Sequence, residues 1–449
     1  MFSARSVGVA LFAFAYWFLF IRGDAKSVWY KPIVVEVDSQ HHTRPSEQIK
    51  AGATEEAMEV AEVASSFNEF GLELFNTLTS AADGGNVLIS PLSVATALSM
   101  VAAGTTEGSA NAQQFDKTLR LPVTSDSTKD VLRSALQRVS SVDPKVKLLL
   151  ANSQWTRGGS IKETYKQKLS AVFDADVREL TAEAEPINQW VSEKTEGMIK
   201  RLLDEVDPLT VAVLINAVYF KGEWADKFDK ANTRKMDFHL ASGTSTPCQM
   251  MFRDAKMGYR EIFLTDKARE TRQYDAQLVE LPYGSGQDFG AVIILPRAGT
   301  STSVGELMAH AMQNPGVWEE WVQRLPKRPV EMYLPRFKLE YGVQDIKAAL
   351  TSMGLVEPFV AGTAGREGAF QRMTDDEQVY LSNVFHKAVM EVNEEGTEAA
   401  AVTAAVMMTR AMPPQPVEMK VDHPFLFAVR DLKSGLLLFI GNVEAPEFN

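Results

Sequence analysis

One arginine stands alone in a long run of small side chains. Between Lys387 and Lys420 the only Lys or Arg is Arg410, and Ala411-Met-Pro-Pro414 follows it. A long cation in such a setting is bait for a protease with an acidic specificity pocket, because charge-assisted hydrogen bonds make that recognition strong.

The residues before the bait set the mechanical question. Val392-Asn-Glu-Glu-Gly-Thr-Glu-Ala-Ala-Ala401 starts like a strand and then turns to alanine, which ordinary strands avoid. Side chains alternate across a strand. Thr397, Ala399, Ala401, Thr403, Ala405 and Met407 would share one face, and Glu398, Ala400, Val402, Ala404, Val406 and Met408 the other. A segment with such small sides suits slipping between strands that already exist.

Other elements must hold this segment. Phe67, Phe70, Leu74 and Phe75 recur at helical spacing. Asn86-Val-Leu-Ile-Ser-Pro-Leu-Ser93 reads as a strand turning into a helix, with Ser90 as cap and Pro91 at the first position. Leu148–Trp155 is strand-like, and Val211–Phe220 is apolar enough for a strand covered on both faces. Ala276–Leu281, Gly290–Leu295 and Val330–Leu334 are further strands, with a helix over Val343–Met353 after Pro335. Phe425–Val429 and Leu436–Ile440 read as a hairpin through Ser434-Gly435. Strands and helices do not alternate regularly, which favours a mixed α+β fold.

Several blocks carry a family resemblance. Glu394-Glu-Gly-Thr-Glu-Ala-Ala-Ala401 resembles the hinge of the reactive loop in serpins, and counting fourteen positions from the hinge glycine, as that family does, lands on Arg410. Asn86–Ala95, Asn188–Gly197, Asn216–Trp224, Leu334–Phe337, His386–Met390, His423–Phe427 and Phe439–Val443 resemble further serpin blocks in the same order, from about Ser65 to Pro446. The resemblance implies a fold of three β-sheets, about eight or nine helices and an exposed reactive loop at about 394–414. It implies suicide-substrate inhibition of trypsin-like serine proteases: after cleavage at Arg410–Ala411 the freed strand inserts into the main sheet and traps a covalent acyl complex.

Roles carry over by position. Glu394, Glu395, Gly396, Thr397, Glu398, Ala399, Ala400 and Ala401 match the hinge. Ser90, Ser93, Asn216 and His386 match a polar cluster beneath the sheet opening. Trp224 matches the aromatic where insertion starts, and Arg336 with Glu394 matches the ion pair that pins the hinge, a surface pair of little worth being the alternative. Lys117, Arg120, Lys129 and Arg133 lie where some serpins bind heparin, but they are interspersed with acids and read as a solvated face. A non-inhibitory carrier or chaperone on the same fold is the alternative; Thr397 and the alanines after it disfavour that reading.

Composition limits the rest. Net charge is −12, which argues against nucleic acid or an anionic-lipid surface as partner. No stable membrane association is expected, and the chain is expected to act as a monomer. Cys248 is the only cysteine, so neither an internal disulfide nor a multi-thiolate metal site can form. No Gly-x-Ser-x-Gly, His-Glu-x-x-His or phosphate-loop motif occurs, so neither an enzyme nor a cofactor is expected. Arg5 precedes an apolar run from Val7 to Ile21, and Gly23-Asp24-Ala25 offers a cleavage site, so residues 1–25 read as a signal peptide of a secreted, extracellular protein. Residues 26–62 read as a flexible extension and 63–449 as the folded domain.

Overall fold

The recurrence of Phe67, Phe70, Leu74 and Phe75 forms the buried stripe of helix α1 (Glu55–Ala81), and all four side chains are fully buried. In this computed structural model the structure describes residues 55–82, 84–141, 143–158, 160–361, 370–395 and 415–447. They belong to one unit, Ala53–Asn449. Helix α1 begins upstream of residue 63, where the sequence suggested that the folded body starts.

Strand β1 (Val87–Ile89) leads into α2 (Pro91–Ala102). Ser90 caps α2 as its side chain accepts from the Ser93 amide, and Pro91 takes the first turn, where its missing N–H costs nothing. The two helices touch closely: a Cβ on Gly71 would fall 2.3 Å from Pro91 Cβ, so only glycine fits the crossing. Helices α3 (Ala110–Leu119) and α4 (Asp126–Ser141) follow, then β2 (Val146–Thr156), α5 (Glu163–Phe173), β3 (Asp176–Glu179), α6 (Glu185–Lys194) and β4 (Ala212–Gly222). The chain continues through β5 (Arg234–His239), β6 (Ser245–Ile262), α7 (Asp266–Thr271), β7 (Ala276–Tyr283), β8 (Phe289–Pro296), α8 (Val304–Gln313) and α9 (Val317–Val322). It ends with β9 (Lys327–Pro335), β10 (Phe337–Asp345), α10 (Lys347–Ser352), β11 (Asn383–Val392), β12 (Val417–Lys420), β13 (Phe425–Asp431) and β14 (Leu437–Val443).

One sheet has five strands in the order β10-β11-β4-β2-β3. The other has nine, β1-β14-β13-β8-β7-β6-β9-β12, with β5 also on β6. Three sheets were expected; hydrogen bonding fuses two of them through β6, whose first residues pair with β5 and whose last pair with β7. There are ten α-helices among the described residues, rather than eight or nine, and α7, α9 and α10 have only six residues each. The helix expected over Val343–Met353 is shorter, because β10 continues to Asp345 opposite Phe385 of β11 and α10 starts only at Lys347. Cross-strand pairing outweighs local helix preference there.

Strand β4 is covered on both faces, as its apolar run predicts. Leu214, Val218 and Phe220 join the main core, whereas Val213, Ile215, Ala217 and Tyr219 join a second core with Ile187, Trp190 and Val191 of α6. The alternation is that of a strand with a layer on either side.

Candidate functional site: a parallel seam and its polar latch

The middle of the five-stranded sheet contains a parallel pair. Strands β4 and β11 run side by side from Val213↔Asn383 to Phe220↔Met390, while their outer neighbours β2 and β10 are antiparallel to them. Parallel ladders are slightly weaker per residue than antiparallel ones. A chain that turned back after Val392 would run antiparallel to β11, and therefore antiparallel to β4 as well. The seam is thus where one added strand would exchange one parallel ladder for two antiparallel ladders.

A row of polar side chains crosses this seam. Asn152 of β2, Asn216 of β4 and His386 of β11 occupy one register line. Asn216 Nδ2 donates to Asn152 Oδ1 (2.5 Å), to Ser93 Oγ (2.5 Å) and to the Ser93 carbonyl (3.1 Å). The Ser90 amide donates to His386 Nε2 at 3.2 Å, which requires that nitrogen to be unprotonated. His386 Nδ1 therefore carries the proton and donates to Asn216 Oδ1 at 2.5 Å. Burial pushes the imidazole down to about 3, so the ring is neutral at ordinary pH. The four residues singled out from the sequence, Ser90, Ser93, Asn216 and His386, come together here, tying α2 to both strands of the seam. Asn152 was missed. Its signal was the polar trio Asn152-Ser-Gln154 directly after the apolar run Leu148–Ala151 of the same strand, and all three residues are buried.

The upper end of the seam is pinned where β11 stops. The Trp224 indole donates to the Asn393 carbonyl at 2.8 Å and stacks on Tyr283, 4.2 Å between centroids and 12° from parallel. Glu394 lies 3.3 Å from Arg336 and accepts from the Thr233 hydroxyl at 2.7 Å. The Glu394 side chain is only 3% exposed, so the pair is not the weak surface contact that was the alternative to a hinge pin. Glu395 pairs with Lys230 in the open. Gly396, Thr397, Glu398, Ala399, Ala400, Ala401, Arg410 and Ala411 lie outside the described residues, as does the stretch read as a signal peptide.

A strap covers the opposite face of the sheet. The Asn188 side chain in α6 accepts from the amides of Leu202 and Leu203 and donates to the Leu203 carbonyl, at 2.8–2.9 Å. Lys387 of β11 reaches the Arg201 carbonyl at 3.2 Å.

The suggested cationic face is not a single solvated surface. Arg120 is paired with Glu69 and Glu73, Arg133 with Asp130, and Lys129 is buried against Asp126 and the Thr124 carbonyl. Cys248 is buried, and desolvation with the nearby Asp422 and Asp237 charges pushes its thiol up to about 11, which keeps it unreactive. Among the described residues no cluster of His, Cys, Asp or Glu is arranged to hold a metal, and no helix is long and apolar enough to cross a membrane.

The family model described as serpin (serine protease inhibitor) matches residues 65–446. The chain is a serpin. It is 33% identical to human antithrombin-III over 378 residues, covering 81% of this chain and 77% of that one. It is 35% identical to human serpin B8 over 388 residues, covering 84% and 97%. The structure of Arabidopsis AtSerpin1 in its native stressed conformation matches with a TM-score of 0.75 at 28% identity, covering 88% of this serpin and all of that chain. Membership makes this serpin a member of a protease-inhibitor family rather than of an enzyme family, and makes a protease its partner class.

Proposed function

We propose that this serpin inhibits trypsin-like serine proteases as a suicide substrate, with Arg410 as bait and the segment from Gly396 onward as the inserting strand. The protease serine attacks the Arg410 carbonyl, the Ala411 amine leaves, and an acyl ester joins the two proteins. The freed arm then enters between β4 and β11. The closed parallel seam, with its root pinned at residues 393–395, is the observation that carries this reading.

The energetics favour insertion. A strand of about a dozen residues at a net ~1 kcal/mol per hydrogen bond adds on the order of 10 kcal/mol, comparable with a whole native stability of ~5–15 kcal/mol. The small faces of Thr397–Met408 let the arm enter a packed interior without overpacking. The leader read from residues 1–25 makes the protein secreted in this proposal, and intact-mass measurement of material released from cells, beginning at Lys26, checks it.

Incubation with trypsin followed by denaturing electrophoresis tests the inhibitory claim. A stable band at the summed mass is expected. Arg410→Ala should abolish it, and Thr397→Arg should give clean cleavage without it, since a buried, unpaired cation blocks insertion. Cleavage of the unaltered chain with no trapped band would overturn the reading in favour of the carrier or chaperone alternative.

A further inference from the structure

His423 sits in the turn between β12, the strand that follows the reactive segment, and β13. Both its ring nitrogens face acceptors. Nε2 lies 2.7 Å from the Pro296 carbonyl at the end of β8, and Nδ1 lies 2.9 Å from Asp422 Oδ1. A carbonyl has no proton to give. Asp422 has none either, because Lys420 holds its other oxygen at 3.0 Å. Burial works against the Asp422 charge, yet donors from His423 and Lys420 bring its carboxyl below the usual range. Only the imidazolium, with two N–H groups, satisfies this geometry. Asp422 also accepts the His239 amide through its carbonyl at 2.7 Å, so the turn gathers β5, β8 and β12.

We propose that His423 is a proton-operated clasp on β12: cationic, it locks the C-terminal stem of the reactive segment to the sheet, and neutral, it lets that stem loosen. In the neutral ring one nitrogen lone pair must face an oxygen, whichever tautomer forms. The facing groups do not compensate. Lys420 is committed to Asp422; Glu418 and Tyr333 act on Lys420; Asp237 and Cys248, from β5 and β6, supply no donor to the ring; and His239 uses its Nδ1 on Ser245. Strand β12 has four residues and, among the described residues, pairs only with β9, so one lost anchor matters to it.

Burial lowers the His423 affinity for its proton, but Asp422 and the Pro296 carbonyl outweigh this and raise it above the usual imidazole range. With the folded value raised, the clasp is fully present below about pH 6.5 and is lost as pH rises through the folded value. Hydrogen exchange of the Val417–Val421 amides in the uncut full chain tests this, with β14 amides as reference and rates corrected for base catalysis. Protection at β12 should fall by about tenfold from pH 6 to pH 9, the size of one charge-assisted hydrogen bond, while β14 holds. His423→Gln should be poorly protected and flat with pH. Nitrogen-15 shifts of the unaltered ring should show both nitrogens protonated at pH 6. A neutral ring at pH 6, or β12 protection in the unaltered chain that ignores pH, overturns the clasp. Neither measurement depends on cleavage or trapping, so failure here leaves the inhibitory reading untouched.

Discussion

His386 is uncharged because everything around it is arranged for a neutral ring. A second proton on Nε2 would point at the Ser90 amide, which itself donates there. With the folded value near 3 and the unfolded value near 6.5, the contribution of this group is complete above pH 6.5. It is lost progressively as pH falls between those values, because the unfolded chain takes up the proton first. Urea midpoints of the unaltered chain should therefore drop steeply from pH 7 to pH 5. His386→Gln should start lower at pH 7 and lack that extra slope; an equal slope in both would remove the assignment. The same residue illustrates what residue types disclose. His386 and Asn216 could be singled out one by one, but their donor directions, and Asn152 as third member of the row, follow only from strand register.

Among the elements, α6 and the segment after it cover one face of the seam. Ile187, Trp190 and Val191 seal the face over β4, and Asn188 fastens Leu202 and Leu203 beneath its own helix. Asn188→Ala would strand two amides and a carbonyl in a buried place, a cost of roughly 2–4 kcal/mol. Chemical denaturation should report that loss, and amide exchange should rise first at Leu202 and Leu203. Exchange that rose uniformly across the sheet would show that Asn188 is not a local fastener. At this scale the apolar runs of β4, β13 and β14 were legible because period and burial agree. Strand β10 was not, since its alternation is interrupted by Gly342 and a shift in pairing between Tyr341 and Gln344. Its strand identity comes from β11 alongside.

For the whole molecule, the decisive quantity is the energy difference between the closed sheet and a sheet with one more strand. The closed form keeps eight residues of β4 in parallel register with β11, where antiparallel neighbours on both sides of an inserted strand would serve better. A single cut in the arm should therefore raise stability by on the order of 10 kcal/mol, in contrast to the usual effect of nicking a protein. Guanidinium denaturation of cut and uncut chains measures this directly. Equal midpoints would mean that no strain is stored and that trapping has no driving force.

The order of the blocks, the small-sided arm and its lone cation were written in the chain, because hydrophobic period and residue spacing are local properties. Tertiary structure alone decided three other things: the parallel pairing of β4 with β11, the burial of Glu394 against Arg336, and the double acceptor environment of His423. Each depends on groups far apart in sequence, and distance through space, not along the chain, sets how strongly charges and hydrogen-bond partners act on one another.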